Sequence, residues 1–322
     1  MAKRRQSSLL RMGRALLPMT VAALIIFGLF EGYVVYRLTH PRRVHHEITP
    51  ANFQMLTGAG LAWNEEQWGN SDGTQATGWF LRGATGAPGI ILNHSYGRER
   101  SELLTLGVKL AEAGYNVLLP DLRGHGASPV SYTSLGEDER RDVLAAIEHL
   151  KTKKNAQGEL LVDATKIGVY GVSLGGYAAI AAASDDPAIR VVIADAAYPN
   201  PDGLTQAALR ELFSGDLPFL GTLARIGLSG YFLGNYNRSS ASEAFGNYQN
   251  KKLWFVVSSK FNAETDGANR TMLELFERGP AAKELLKVDK GRAARLEGPE
   301  QDAYDDRIVG CFRKDLPREM PQ

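Results

Sequence analysis

The chain has 322 residues, 44% hydrophobic and 23% charged, with 34 Gly and 14 Pro. This profile excludes disordered, collagen-like and disulfide-built classes and leaves one or two folded domains with a large core. Lys plus Arg number 37 against 36 Asp plus Glu, a net charge of +1, so no overall field draws the chain to nucleic acid and no nucleic-acid partner is expected. The single cysteine, Cys311, rules out an internal disulfide and a multi-cysteine metal site and leaves the redox compartment open.

Residues 1–14 form a basic tail with Lys3, Arg4, Arg5, Arg11 and Arg14. An apolar run follows whose one charge before Arg37 is Glu31, and residues 15–37 are expected to be a transmembrane anchor. A helix of that length crosses a bilayer at about 1.5 Å per residue. Five basic residues precede the run, and Arg37, Arg42 and Arg43 follow it. The excess favours a single pass with the N-terminus cytoplasmic and the bulk of the chain outside. A cleaved signal peptide is the alternative, although the run is longer than a usual h-region and no small-x-small site follows.

Residues 38–63 are Pro/Gly-punctuated and read as a linker lifting a domain off the membrane. The domain is expected over 64–318. Short β-rich runs at 89–94, 115–120, 166–171, 190–195, 252–257 and 284–289 alternate with helical patterns at about 100–113, 135–153 and 174–183. Such alternation argues for βαβ units and a mostly parallel sheet in an α/β fold. Ser134 and Glu137 have capping-box spacing before the second helix, with Val143, Ile147 and Leu150 as its apolar stripe. Residues 199–248 break the alternation with scattered leucines and aromatics, which reads as an inserted helical lid or as a second patch of core under a long loop.

The chemistry centres on Gly171-Val172-Ser173-Leu174-Gly175, a G-x-S-x-G pattern set between a strand and a helix of small residues. A serine there must turn sharply, and its oxygen is exposed at a helix N-terminus, where N–H groups favour a developing oxyanion. A structural serine at a tight turn is the plainer alternative. His45-His46 have no carboxylate or cysteine set at ligand spacing, and neither a metal nor a cofactor is expected.

With these landmarks the chain resembles the α/β-hydrolase superfamily, especially its serine aminopeptidase and dienelactone-hydrolase-like members, from about residue 65 to 312. EEQWGNSDGTQATGWFL looks like the family's first two strands, His94-Ser95-Tyr96-Gly97 like its oxyanion loop, and Asp121-Leu122-Arg123-Gly124-His125-Gly126 like its turn after the following strand. The resemblance implies an eight-stranded, mostly parallel sheet with helices on both faces and a lid, preceded here by the anchor. It also implies Ser173 as nucleophile and the backbone N–H groups of Tyr96 and Leu174 as oxyanion hole. His94 is expected to buttress its loop rather than carry protons.

The pattern fails at the base. All six histidines precede Ser173, whereas the family order is Ser, acid, His. The family histidine would fall at residues 292–295, which include Arg292 and Arg295, and arginine stays protonated. Asn262 stands at the family's acid position, with Glu264, Asp266 and Asp195 as displaced candidates. Asp195 is taken as the acid, and His125 and Lys260 as substitute bases, His125 first. Two readings follow. One is a membrane-anchored serine hydrolase acting weakly on a small ester, amide or peptide. The other is a catalytically silent hydrolase fold that binds a ligand or partner.

Overall fold

The computed structural model describes residues 2–43, 48–58, 60–215, 218–259, 266–292 and 296–318. Among them eight strands form one sheet in the order β1-β2-β4-β3-β5-β6-β7-β8. The strands are β1 (Trp63–Gly69), β2 (Gln75–Leu81), β3 (Ala87–Asn93), β4 (Asn116–Pro120), β5 (Val162–Val172), β6 (Ile189–Asp195), β7 (Lys252–Ser258) and β8 (Lys283–Val288). β1 pairs antiparallel with β2, and β2 antiparallel with β4; every other pairing is parallel. The central strands are apolar on both faces, as a sheet covered twice requires. In β3, Ile90 and Leu92 enter one core and Ile91 the other.

One face carries α3 (Leu104–Glu112) and α10 (Pro299–Asp315); the other carries α4 (Glu139–Lys151), α5 (Leu174–Ala183) and α9 (Asp266–Arg278). Between β6 and β7 the chain forms α6 (Pro201–Phe213), α7 (Pro218–Tyr231) and the short α8 (Ala241–Ala244). This segment is a helical insertion whose inner residues, Leu204, Leu209, Leu220, Ala224 and Leu228, join the core beside α5.

One local expectation is corrected. Ser134 and Glu137 form no capping box: the helix starts at Glu139 with no side-chain cap. The reason is backbone geometry, since Leu135 (φ 62°) and Gly136 (φ 123°) are left-handed and cannot be helical. The Glu139 carboxylate instead accepts from the Ser134 and Gly136 N–H groups and from the Ser134 and Thr133 hydroxyls. Glu137 turns to the insertion, accepting from the N–H and hydroxyl of Ser239.

Residues 38–63 carry local structure of their own. They contain α2 (Pro50–Thr57), begun by Thr49 as N-cap and closed by left-handed Gly58. The N-terminal helix α1 (Ala2–Thr39) ends against the domain, with Val34, Val35 and Leu38 buried in the core that contains α5 and α7. The Leu38 carbonyl accepts from the Tyr96 hydroxyl (2.8 Å), and the Thr39 carbonyl from the Thr133 N–H (2.8 Å). Arg43 donates to the carbonyls of Ser128 and Val130. Over Leu16–Thr39, α1 is long and apolar enough to be a membrane span or a signal sequence.

The packing of α5 depends on its glycines. A Cβ on Gly175 would lie 2.6 Å from the carbonyl oxygen of His94, and one on Gly171 2.6 Å from the Gly176 nitrogen. Gly175→Ala should therefore overpack the junction and cost about 1–3 kcal/mol, read as a lower urea midpoint with an unchanged m value. An unchanged midpoint would mean the junction can open without cost.

Candidate active site

Ser173 follows β5 and caps α5 with φ 54° and ψ −115°, a conformation that costs a non-glycine residue energy and survives only when its surroundings enforce it. They do so through three contacts. Its N–H donates to the Asp195 carbonyl (2.9 Å), its carbonyl accepts from the Tyr177 N–H (3.0 Å), and the missing side chains of Gly171 and Gly175 let the turn close. From Ile167 to Ala183, Ser173 is the one residue that is not buried. Its neighbour Leu174 opens α5, where helix geometry leaves N–H groups without an intrahelical acceptor. Tyr198, three residues beyond β6, lies beside Ser173, and burial pushes its hydroxyl above its usual range.

Asp195 ends β6 with its carboxylate fully buried. One oxygen accepts both the Arg292 backbone N–H (2.8 Å) and the Tyr304 hydroxyl (2.6 Å). Burial raises its pKa, and these two hydrogen bonds and the Arg292 charge pull it back. A second phenol, Tyr170, is 2.9 Å from Tyr304. Thus Asp195 is brought to the loop after β8, the place where the resemblance puts a histidine. The residue there is Arg292, and its guanidinium turns away. It pairs with buried Asp305, donates to the Glu102 carbonyl (3.0 Å) and lies over the Tyr304 ring. The Glu102 carboxylate in turn accepts the Ser95 N–H (2.7 Å) and hydroxyl (2.8 Å), fixing the loop that contains Tyr96.

His125 lies below this loop, its Nδ1 2.8 Å from the Arg123 carbonyl and its ring edge-on to both Tyr96 and His94. Its Nε2 is buried and makes no hydrogen bond, to Ser173 or to any other group. Burial pushes its pKa down to about 3, helped by His94. His94 buttresses the loops as expected: Nε2 accepts the Leu122 N–H (3.0 Å), and Nδ1 meets the Ser95 carbonyl (2.8 Å). Lys260, Asn262, Glu264 and Arg295 lie outside the described residues, and Asp266 is described only as the first residue of α9.

Sequence reasoning missed Tyr198, Tyr304 and Asp305. Tyr198 had a signal, being the first aromatic after Asp195; Tyr304 and Asp305 lie more than a hundred residues away and carried none. No group of three or more His, Cys, Asp or Glu residues that could hold a metal ion occurs among the described residues.

The sheet order, the serine at a strained strand-to-helix turn and the helical insertion after β6 define an α/β-hydrolase fold. A sequence profile described as the alpha/beta hydrolase family matches residues 80–280, and the chain belongs to that family. It is 29% identical over 158 residues to an uncharacterized 31.7 kDa protein from the traX-finO intergenic region of Escherichia coli, covering 48% of this chain and 52% of that protein. It is 32% identical over 126 residues to an uncharacterized protein of Mycobacterium tuberculosis, covering 38% and 41%. The chain therefore spans about half the length, or less, of these curated relatives. Among solved structures, an esterase of Pyrococcus furiosus matches with TM-score 0.65 and 21% identity over 87% of this chain and 99% of that one. An acetyl xylan esterase from Paenibacillus matches with TM-score 0.55 and 16% identity over 89% and 93%. At these identities the likeness is one of fold.

Two measurements test the site's physical chemistry. The Arg292 side chain is 6% exposed and Asp305 is fully buried, so Arg292→Leu strands a buried carboxylate and should cost about 3–5 kcal/mol. A double variant, Arg292→Leu with Asp305→Leu, should recover much of that loss in urea unfolding; if the single variant is as stable as the parent, the pair has no structural weight. For His125, the unfolded ring titrates at its ordinary 6.5 and the folded one at about 3. Between these values the unfolded chain binds the extra proton, so stability present above pH 6.5 is lost as pH falls. His125→Gln should lose less stability than the parent between about pH 7 and pH 5; equal losses in paired urea titrations would place the acid sensitivity elsewhere.

Proposed function

We propose that this chain is a membrane-anchored serine hydrolase acting on a small ester, amide or peptide through Ser173, with low turnover. The observation that carries the reading is the partly exposed serine on a strained elbow whose flanking residues are all buried, a geometry that exists at a cost and gives the hydroxyl to solvent.

In this reading Ser173 Oγ attacks the substrate carbonyl, and the N–H groups of Leu174 and Tyr96 receive the negative charge on its oxygen. Tyr198 orients the hydroxyl. Asp195 acts as the acid residue by holding the loop at Arg292 rather than a histidine ring. His125 is the assigned base, working through a bridging water because its Nε2 touches no donor. Its depressed pKa keeps it neutral and weakly basic, and for that reason turnover is low. An oxyanion hole and binding alone still leave about 10³–10⁴-fold acceleration over water when a triad is broken.

For location, α1 crosses a bilayer with the five basic residues of its tail on the cytoplasmic side and the domain on the other. Protease protection of a C-terminal tag in sealed inside-out vesicles supports this orientation, and digestion of the tag reverses it.

The second reading, a catalytically silent fold that binds a ligand or partner, is favoured by one observation: the residue facing Asp195 is an arginine committed to Asp305. The test is fluorophosphonate labelling of the full-length chain in detergent. Labelling that Ser173→Ala abolishes supports the hydrolase. No labelling of a protein with a cooperative unfolding transition supports the silent fold.

A further inference from the structure

The inserted helices and the N-terminal helix form one surface. Gly227 of α7 sits against α1 so closely that a Cβ there would lie 2.6 Å from Val35. Phe213, at the end of α6, meets Phe30 with ring centroids 6.1 Å apart. The small residue brings the two backbones together, as small residues do where helices pack closely.

On its inner side α7 buries Leu220, Ala224 and Leu228 in the core. Its outer side carries large apolar residues beside exposed Thr222 and Arg225. Phe219 is 59% exposed and Ile226 65%, seven residues apart and so one above the other, and Leu233, in the turn that ends the helix, is 89% exposed. A water-facing helix side would carry charge at such positions. Single exposed apolar residues need no explanation, whereas a row of large ones on one element marks a contact surface.

Three observations identify what this surface meets. It packs, through Gly227 and Phe213, on α1, whose apolar side chains from Leu16 to Phe30 are exposed. Tyr33, Tyr36 and Tyr231 are exposed, and Arg37, Arg42 and Arg43 follow the first two in the chain, the aromatic and basic composition of a bilayer's interfacial layer. The charge that α7 does carry, Arg225, is neutralised by Asp202, so the row is not interrupted by an unpaired ion.

We propose that α7 is a second membrane contact, an interfacial helix whose Phe219, Ile226 and Leu233 enter the lipid beside the anchor. The partner is the lipid bilayer itself. This inference rests on the anchoring proposed above. It places the inserted helices, which share a core with the α5 that Ser173 caps, at the bilayer surface, and the substrate class that such a site takes is an amphiphile bearing an acyl chain rather than a freely soluble ester.

The test uses the full-length chain reconstituted in phosphatidylcholine vesicles, with an environment-sensitive fluorophore on Ile226→Cys, Leu233→Cys, Leu29→Cys or Leu160→Cys and nitroxide-bearing acyl chains as quencher. The parent chain, whose Cys311 is buried, is the labelling blank. Leu29 reports on the anchor, and Leu160 lies in the turn before β5, at the opposite end of that strand from Ser173. For a helix lying about 5–10 Å into the headgroup and acyl boundary, quenching at 226 and 233 should match that at 29 within about twofold and exceed that at 160 about threefold or more. Quenching at 29 with 226 and 233 no higher than 160 overturns the second contact and leaves the anchor standing. Absence of quenching at 29 overturns both.

Discussion

One buried carboxylate ties the candidate site together. Asp195 has its main-chain oxygen on the Ser173 N–H and a side-chain oxygen on both the Arg292 N–H and the Tyr304 hydroxyl. A carboxylate taken out of water is costly unless donors replace the water it loses. Those donors here come from two separate parts of the chain, the loop after β8 and α10, while the main-chain carbonyl of the same residue takes the N–H at the end of β5. Satisfying one charge therefore fixes the loop after β8 and the helix behind it, and the backbone of the same residue holds the strained serine turn. Arg292 extends the web through Glu102 to Ser95, so that the loop bearing Tyr96 is held by the same set of bonds.

Most of the fold was legible in the sequence because it is written locally. The alternation of β-rich runs with helical patterns, the small residues of α5 and the Gly-x-Ser-x-Gly turn all lie within windows that a period or a turn residue can mark. The expected 174–183 helix coincides with α5, and the core strands differ from their expected spans by a few residues at the ends. Ser134 and Glu137 illustrate the limit. Their spacing is right for a cap, but the left-handed residues between them and the pull of Glu139 decide the geometry, and neither is visible in a local pattern.

The site was legible only where a residue's neighbours in sequence are its neighbours in space. Ser173, Asp195 and Tyr96 could be placed at one edge of the sheet because each ends a strand or follows one within three residues. Arg292 could be named as the wrong residue at a histidine's place. That its guanidinium pairs with Asp305, and that Tyr304 takes a donor's place beside Asp195, depends on how α10 crosses the sheet, and no spacing of residues encodes that crossing.

The burial of Val34, Val35 and Leu38 changes where the folded domain begins. A soluble fragment started after the apolar run, anywhere past residue 39, would strip these side chains from the core that holds α5 and α7 and would remove the carbonyl that Tyr96 bonds. The contacts of α1 with the inserted helices begin at Phe30 and Glu31, which meet Phe213 and Gly227. A truncation chosen from hydropathy alone would thus cut through a packed helix, and a dead fragment would say nothing about the chemistry of Ser173.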